Sequence, residues 1–488
     1  MSVLKGLEPL KVFKFFEYIS SVPRGSGNTG KVADLCVKFA KERKLTCYRD
    51  SLNNVVIYKE ASNGYEDAPT VVLQGHLDMV CEKENGVDID MAVTPIELAH
   101  DGKYVFAKGT TLGGDDGIAV AYALAILDSD EIKHPALEAV FTIDEETGMD
   151  GARGLDGSVV TGRLLLNIDS EEEGVFTCGC AGGCRVDCRI PVNRVKLSTG
   201  YKAYKVSLNG LAGGHSGTEI NSQPASSNHI LGRVLFELHE KYDIRLISFE
   251  GGKFDNVIAS ATEAVIAVKD DDITEVKAFL KDYESELKLE YGSINPLMKL
   301  EISENGENVD DISALDTESA DKVLSAVYFT FQGVIEMDAE LKDMVQTSQN
   351  MGVTCLKENE FMMGFLVRSS IDRQKETAVN RISALVKMLG GSVELFGNYP
   401  GWKYAADSKL RDLCVKNYKK IFGKEPVVNS IHAGLECGIL ADKLKGLDVV
   451  SMGPDIHDIH TPKERLDIAS VERTWKLILG ILEDCINL

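Results

Sequence analysis

Positive charge is in short supply. The 488 residues carry 53 Lys and Arg against 76 Asp and Glu, a formal net charge of −23. A chain this acidic repels polyanions, so nucleic acid and anionic membrane surfaces are excluded as expected partners. No run of about 18 apolar residues occurs, so no membrane span is expected. The first ten residues lack a basic stretch followed by an apolar core and a small-residue cleavage site, which gives no reason to expect a secretory signal. The eleven cysteines are odd in number and scattered through apolar segments, which suits a reducing, cytoplasmic setting better than a disulfide framework. Cys178, Cys180, Cys184 and Cys188 lack the Cys-x-x-Cys pairs of a thiolate metal site and read as glycine turn plus strand. Internal repeats and low-complexity segments are also missing. What remains, 44% hydrophobic and 26% charged residues, is the composition of a soluble globular protein with more than one domain. Its acidity leaves room for a cation, because clustered carboxylates are one way to hold a metal.

Apolar residues recur at helical spacing over residues 7–20 and 31–43, and residues 116–127 form a strongly apolar helix. Short β-rich runs begin at Val55, Thr70, Leu137, Leu164 and Leu447, and a final helix covers about 470–486. Strands alternating with helices predict an α/β sheet flanked by helices. The middle differs: strands near Tyr204, Ala264 and Phe361 have more polar surroundings and alternate with helices near 224–242, 273–289 and 377–389. Asp270, Asp271 and Asp272 read as an acidic helix start. The expected organisation is a catalytic domain in two parts, 1–182 and 398–488, with a separate α+β domain, 183–397, inserted between glycine-containing edges.

Residues able to bind metals fall at the ends of these runs. The Val71 strand ends in Gly75-His76-Leu77-Asp78, the Leu137 strand in Asp144-Glu145-Glu146-Thr147-Gly148, and the Leu164 strand in Asp169. The Leu447 strand leads to His457 and His460, and Asp115 and Asp116 open the apolar helix within Gly113-Gly114-Asp115-Asp116-Gly117. Ligands of open α/β sheets bind outside the carboxyl ends of strands, where groups remote in sequence converge. Histidine nitrogens and carboxylate oxygens without thiolates suit zinc or cobalt. Two such ions need a bridging carboxylate, and one further carboxylate must stay free as a general base. The pattern predicts a co-catalytic dimetal hydrolase.

The segments around His76 and Asp78, Asp115, Glu145 and Glu146, and Asp169 resemble the aminoacyl-histidine dipeptidases, also called cytosolic non-specific dipeptidases, of the dizinc aminoacylase/carboxypeptidase superfamily. So do Gly213-Gly214-His215-Ser216-Gly217, His432-Ala433-Gly434-Leu435-Glu436-Cys437-Gly438 and His460-Thr461-Pro462, and the matches run in order from about residue 10 to residue 480. The resemblance implies a zinc-peptidase-type catalytic domain, with helices around a mixed sheet, and an inserted α+β lid. It implies two Zn²⁺ per subunit, with Co²⁺ or Mn²⁺ as substitutes: His76 and Asp169 on one, Glu146 and His460 on the other, Asp115 bridging. His460 is preferred to His457 because only His460 precedes the Thr-Pro of the family pattern. Glu145 becomes the general base toward a metal-bridging hydroxide, and Asp78 the carboxylate that fixes His76. His215 would stabilise the oxyanion, often across a dimer interface, and Arg368, joined by Asn228, would grip the substrate's C-terminal carboxylate. Glu436 suits either the substrate amine or a structural place at a helix start. The implied activity is hydrolysis of dipeptides, Xaa-His and broader, by a cytoplasmic homodimer formed through the lid. The alternative is a dizinc deacylase of N-acyl amino acids.

Overall fold

The computed structural model describes residues 3–197, 199–305 and 313–488, so the first two residues of the segment read for a secretory signal lie outside them. The chain folds as two compact units, one of residues 1–180, 402–430 and 435–488, the other of residues 181–401 and 431–434. By its contacts the inserted unit therefore begins at 181 and ends at 401, rather than at 183 and 397. It is also re-entered by four residues whose sequence, Ile431-His432-Ala433-Gly434, carries no boundary signal.

The first unit is built on an eight-stranded sheet in the order Thr46–Arg49, Val55–Lys59, Leu137–Thr142, Val71–His76, Leu164–Asn167, Asp448–Ser451, Val175–Cys180, Val427–Ile431. Its four central strands, Leu137–Thr142 to Asp448–Ser451, run parallel. Antiparallel partners flank them at Val55–Lys59 and Val175–Cys180. Parallel strands buried on both faces read as continuous apolar runs, which is why these four are visible in the sequence. Because they share one direction, their carboxyl ends form a single edge, and the loops leaving that edge carry His76, Glu145, Asp169 and His460.

The helix Gly114–Leu127 is buried along its whole length. A helix apolar on every side belongs inside a core, and this one shares its core with Phe13, Phe16, Leu73, Phe141 and Ile478. A four-stranded antiparallel sheet, Leu98–His100, Tyr104–Ala107, Arg465–Asp467 and Ile456–His457, has strands too short to leave a periodic signal in the sequence.

The second unit carries a nine-stranded antiparallel sheet, with the helices Ser227–Lys241, Ile273–Tyr291, Thr317–Phe329 and Asp372–Met388. Its strand Val345–Leu356 escapes a hydrophobicity reading because the buried positions are polar. Thr347 pairs with Ser369, Gln349 donates to the carbonyl of Phe331, and Asn350 donates to those of Asp255 and Val257. No helix among the described residues is long and apolar enough to cross a membrane.

Leu124 is fully buried in the helix that begins at the site. Leu124→Ala is expected to cost the first unit about 2–5 kcal/mol by removing packed volume. Urea unfolding of the metal-free protein checks this, and an unchanged midpoint would mean that the helix is not part of that core.

Candidate metal centre

His76 is the last residue of its strand and is 1% exposed. Its Nε2 lies 3.1 Å from Asp115 Oδ1 and 3.4 Å from Asp169 Oδ1. On the other ring nitrogen, Nδ1 lies 3.3 Å from Asp78 Oδ1. Asp78 is wholly buried and is held in turn by the Ser26 hydroxyl at 2.8 Å and by the backbone N–H groups of Glu145 and Glu146 at 3.2 and 3.4 Å. One carboxylate thus orients the imidazole and the turn that carries two further acids.

Asp115 faces two ways. While Oδ1 meets His76, Oδ2 lies 3.2 Å from His460 Nε2, which is itself 3.0 Å from Glu146 Oε2. Glu146 Oε1 is buried without a hydrogen-bond partner. His460 and Asp144 both adopt left-handed backbone angles, φ +60° and +53°, which non-glycine residues hold only where the surroundings impose them. His457, by contrast, packs edge-on against Tyr104, with ring centroids 5.7 Å apart.

Ligand atoms of His76, Asp115 and Glu146 lie within 4.8 Å of one another, and so do those of His76, Asp116 and Asp169. Asp116 therefore competes with Asp115, and the two carboxyls are shifted in opposite directions. Burial, with Asp169 beside it, pushes Asp116 well above the usual carboxylate range, and its Oδ2 accepts the His76 backbone N–H at 3.1 Å. Burial acts on Asp115 too, but hydrogen bonds to His460 and His76 outweigh it and hold Asp115 below the usual range. Of the two, Asp115 is the anion placed between the histidines.

The remaining groups carry the cost of crowding. Burial opposes a charge on His76, yet Asp169, Asp115 and Asp78 raise its pKa. Hydrogen bonds to Asp115 and Glu146 lift His460 to about 10. Burial raises Asp169 to about 7. Burial, then the charges of Asp169, Glu436 and Glu146, push the half-buried Glu145 well above its ordinary value, with His76 pulling the other way. An all-nitrogen-and-oxygen donor set, with a carboxylate turned to two sides and a buried unpaired oxygen, fits divalent ions such as Zn²⁺, Co²⁺ or Mn²⁺. Such charge would relieve the crowding.

Asn228 and Glu436 both lie inside cores. Asn228 is 0% exposed, its Oδ1 accepts the hydroxyls of Thr262 and Thr354, and its Nδ2 donates to the Met351 carbonyl. It is a brace inside the second unit and not a carboxylate ligand. Glu436 is also 0% exposed; its Oε2 accepts from Gln74 at 2.7 Å and Thr142 at 2.6 Å. That leaves no surface on Glu436 for a substrate amine. The sequence does not show which polar residues face a core.

In the second unit, the Arg368 Nη2 lies 3.5 Å from His215 Nε2, and Nη1 donates to the Tyr399 hydroxyl at 3.1 Å. Burial, then the charge of Arg368, lowers the His215 pKa and keeps its ring neutral. His432 is a member of this group that sequence reasoning passed over. It is buried, bonded to the Ser348 hydroxyl at 2.7 Å, and pushed down to about 3 by burial and by Arg368.

The family model of peptidase family M20/M25/M40 matches residues 72–484. The chain belongs to this family. It is a peptide-bond hydrolase. It is similar to the cytosol non-specific dipeptidase of Escherichia coli (strain K12), with 38% identity over 484 residues that cover 99% of each chain. Its structure is similar to that of the aminoacylhistidine dipeptidase from Vibrio alginolyticus, with a TM-score of 0.95 and 35% identity over 98% of this chain and 97% of the other. Aminopeptidase PepT from Bacillus cereus shares the fold, at a TM-score of 0.57 and 15% identity over 98% and 99% of the two chains.

Metal removal should expose the crowding as a pH dependence. His460, raised from 6.5 to about 10, favours the folded state fully below 6.5 and loses that contribution as pH rises through 10. Asp169, raised from 3.8 to about 7, likewise favours the folded state at low pH and loses that contribution as pH rises through 7. Chelated M20 protein should therefore gain thermal stability as pH falls from about 9 to about 6. Metal requires deprotonated ligands, so the Tm gap between metal-loaded and chelated protein should widen as pH rises. Differential scanning calorimetry measures both, and a gap that stays constant or narrows with pH would remove the metal centre from this cluster.

Proposed function

We propose that the protein is a dipeptidase whose catalytic centre is a pair of divalent metal ions held by the first unit. The observation that carries this reading is the two-sided placement of Asp115, with one oxygen toward His76 and the other toward His460. His76 and Asp169 would complete the ligands of one ion, and Glu146 and His460 those of the other. When bound, the pair supplies Lewis acidity toward the scissile carbonyl and lowers the pKa of water. Glu145, next to Glu146 on the turn held by Asp78, takes the proton from the attacking water and returns it to the leaving nitrogen. Asp78 keeps the His76 ring oriented and, through two backbone N–H groups, holds Glu145 and Glu146 in register.

From the second unit, Arg368 is assigned to the peptide's terminal carboxylate and the neutral His215 to the oxyanion. A carboxylate claimed just beyond the scissile bond limits the substrate to short peptides. The E. coli relative's name supports a broad dipeptide range and a cytosolic setting, and no disulfide occurs among the described residues. The name of the Vibrio relative supports Xaa-His among the substrates. We assign a homodimer through the second unit, where Phe329, Phe331 and Met388 are exposed apolar residues. A deacylase of N-acyl amino acids would use the same metals without a free amine on its substrate, so a dipeptide and its N-acetyl form separate the two activities. Preferential cleavage of the free dipeptide is expected.

Glu145→Gln keeps the shape of the side chain and removes the base. Turnover of a mixed dipeptide panel is expected to fall by about 10²–10⁴ with metal content unchanged. Full activity in this variant, or metal loss in place of activity loss, would contradict the role.

A further inference from the structure

The sequence Gly113-Gly114-Asp115-Asp116-Gly117 has a purpose beyond starting a helix. Four consecutive backbone N–H groups, from Leu112 to Asp115, converge on the carboxylate of Glu464. Oε2 accepts from Leu112 at 2.8 Å and Gly113 at 3.0 Å; Oε1 accepts from Gly114 at 2.7 Å and Asp115 at 3.4 Å. Glu464 is 3% exposed, so these bonds stand in place of water. Successive N–H groups of this kind form a concave anion site, filled here by the protein's own side chain.

Glycine is needed at position 113, and the fit is tight at position 114. Gly113 holds φ +66°, and a Cβ there would sit 2.7 Å from the Met79 sulfur; one on Gly114 would sit 3.3 Å from Glu464 Oε1. From the other side the buried Arg24 donates to the carbonyls of Leu77, Asp78 and Gly113, tying the His76 turn to the same loop. Glu464 also closes a turn with Thr461, its N–H donating to the Thr461 carbonyl at 3.0 Å, and that turn begins next to His460.

We infer that Glu464 is a positioning residue that locks Asp115 and His460 into one rigid unit, so that the metal ion shared by Asp115, Glu146 and His460 depends on it more than the ion at His76 and Asp169 does. This rests on the dinuclear reading above. Two of the three ligands of the first ion are set by Glu464, but only the shared Asp115 of the second. A carboxylate serving only to satisfy peptide donors would change stability without distinguishing the two ions.

The test is Co²⁺ binding to the chelated full-length protein, followed by equilibrium dialysis and visible absorption. Wild-type protein should take up two Co²⁺. Glu464→Gln preserves volume but sets an amide against N–H donors. It should weaken one of the two ions by about 10–100-fold and the other less, and alter the absorption of the weakened site. If Glu464→Gln does not fold, Glu464→Asp, which keeps the charge but draws it back by one methylene, is titrated in its place with the same expectation. A folded variant that binds two Co²⁺ with wild-type affinities and spectrum, whatever its Tm, overturns the inference alone. Wild-type protein that binds fewer than two Co²⁺ overturns the dinuclear reading, and the inference with it.

Discussion

Two histidine nitrogens facing opposite oxygens of Asp115 hold together a group of acids that their own charge drives apart. Asp78, Asp115, Asp116, Glu145, Glu146 and Asp169 converge on one edge of a parallel sheet; the first three are buried and the others half-buried. Removing that many carboxylates from water is costly unless protons, cations or hydrogen bonds compensate. The protein uses all three. Burial and Asp169 draw Asp116 toward the protonated form, His76 and His460 are drawn toward the charged form, and Asp78 and Glu464 are satisfied by backbone N–H groups. A pair of divalent ions is the remaining cation source that the donor set fits.

The scaffold follows from this constraint. Parallel strands deliver their carboxyl ends to one edge, so four separate loops bring candidate ligands together without long excursions of the chain. The apolar helix Gly114–Leu127 anchors Asp115 in the core, and Arg24 joins the loops bearing His76 and Asp115. The second unit has the opposite electrostatic character at its own polar cluster. Burial, then the charge of Arg368, lowers the pKa of His215 and His432, which suits recognition of an anion rather than of a metal.

The legible part of this arrangement lay where residue chemistry and strand pattern coincide. His76, Asp169 and Glu146 each follow an apolar run, and a histidine or carboxylate at such an end has few structural uses. The parallel strands were readable because burial on both faces made them uniformly apolar. The strand Val345–Leu356 was not, because its buried positions are filled by Thr, Ser, Gln and Asn that bond to one another and to loops. The same holds for Asn228 and Glu436: a polar residue spent inside a core looks in sequence like one spent on a ligand. Glu464 was invisible because its partners are backbone N–H groups, which leave no side-chain pattern to read. The roles proposed for His215 and Arg368 come from the family resemblance, since no local pattern in either segment gives them.

The central claim is that Asp115 stands between two metal ions. Anomalous diffraction at the zinc edge from crystals of the zinc-loaded protein tests it most directly. The account predicts two peaks about 3.5–4 Å apart, one bonded to each oxygen of Asp115. A single peak, or two peaks that do not share Asp115, would contradict it.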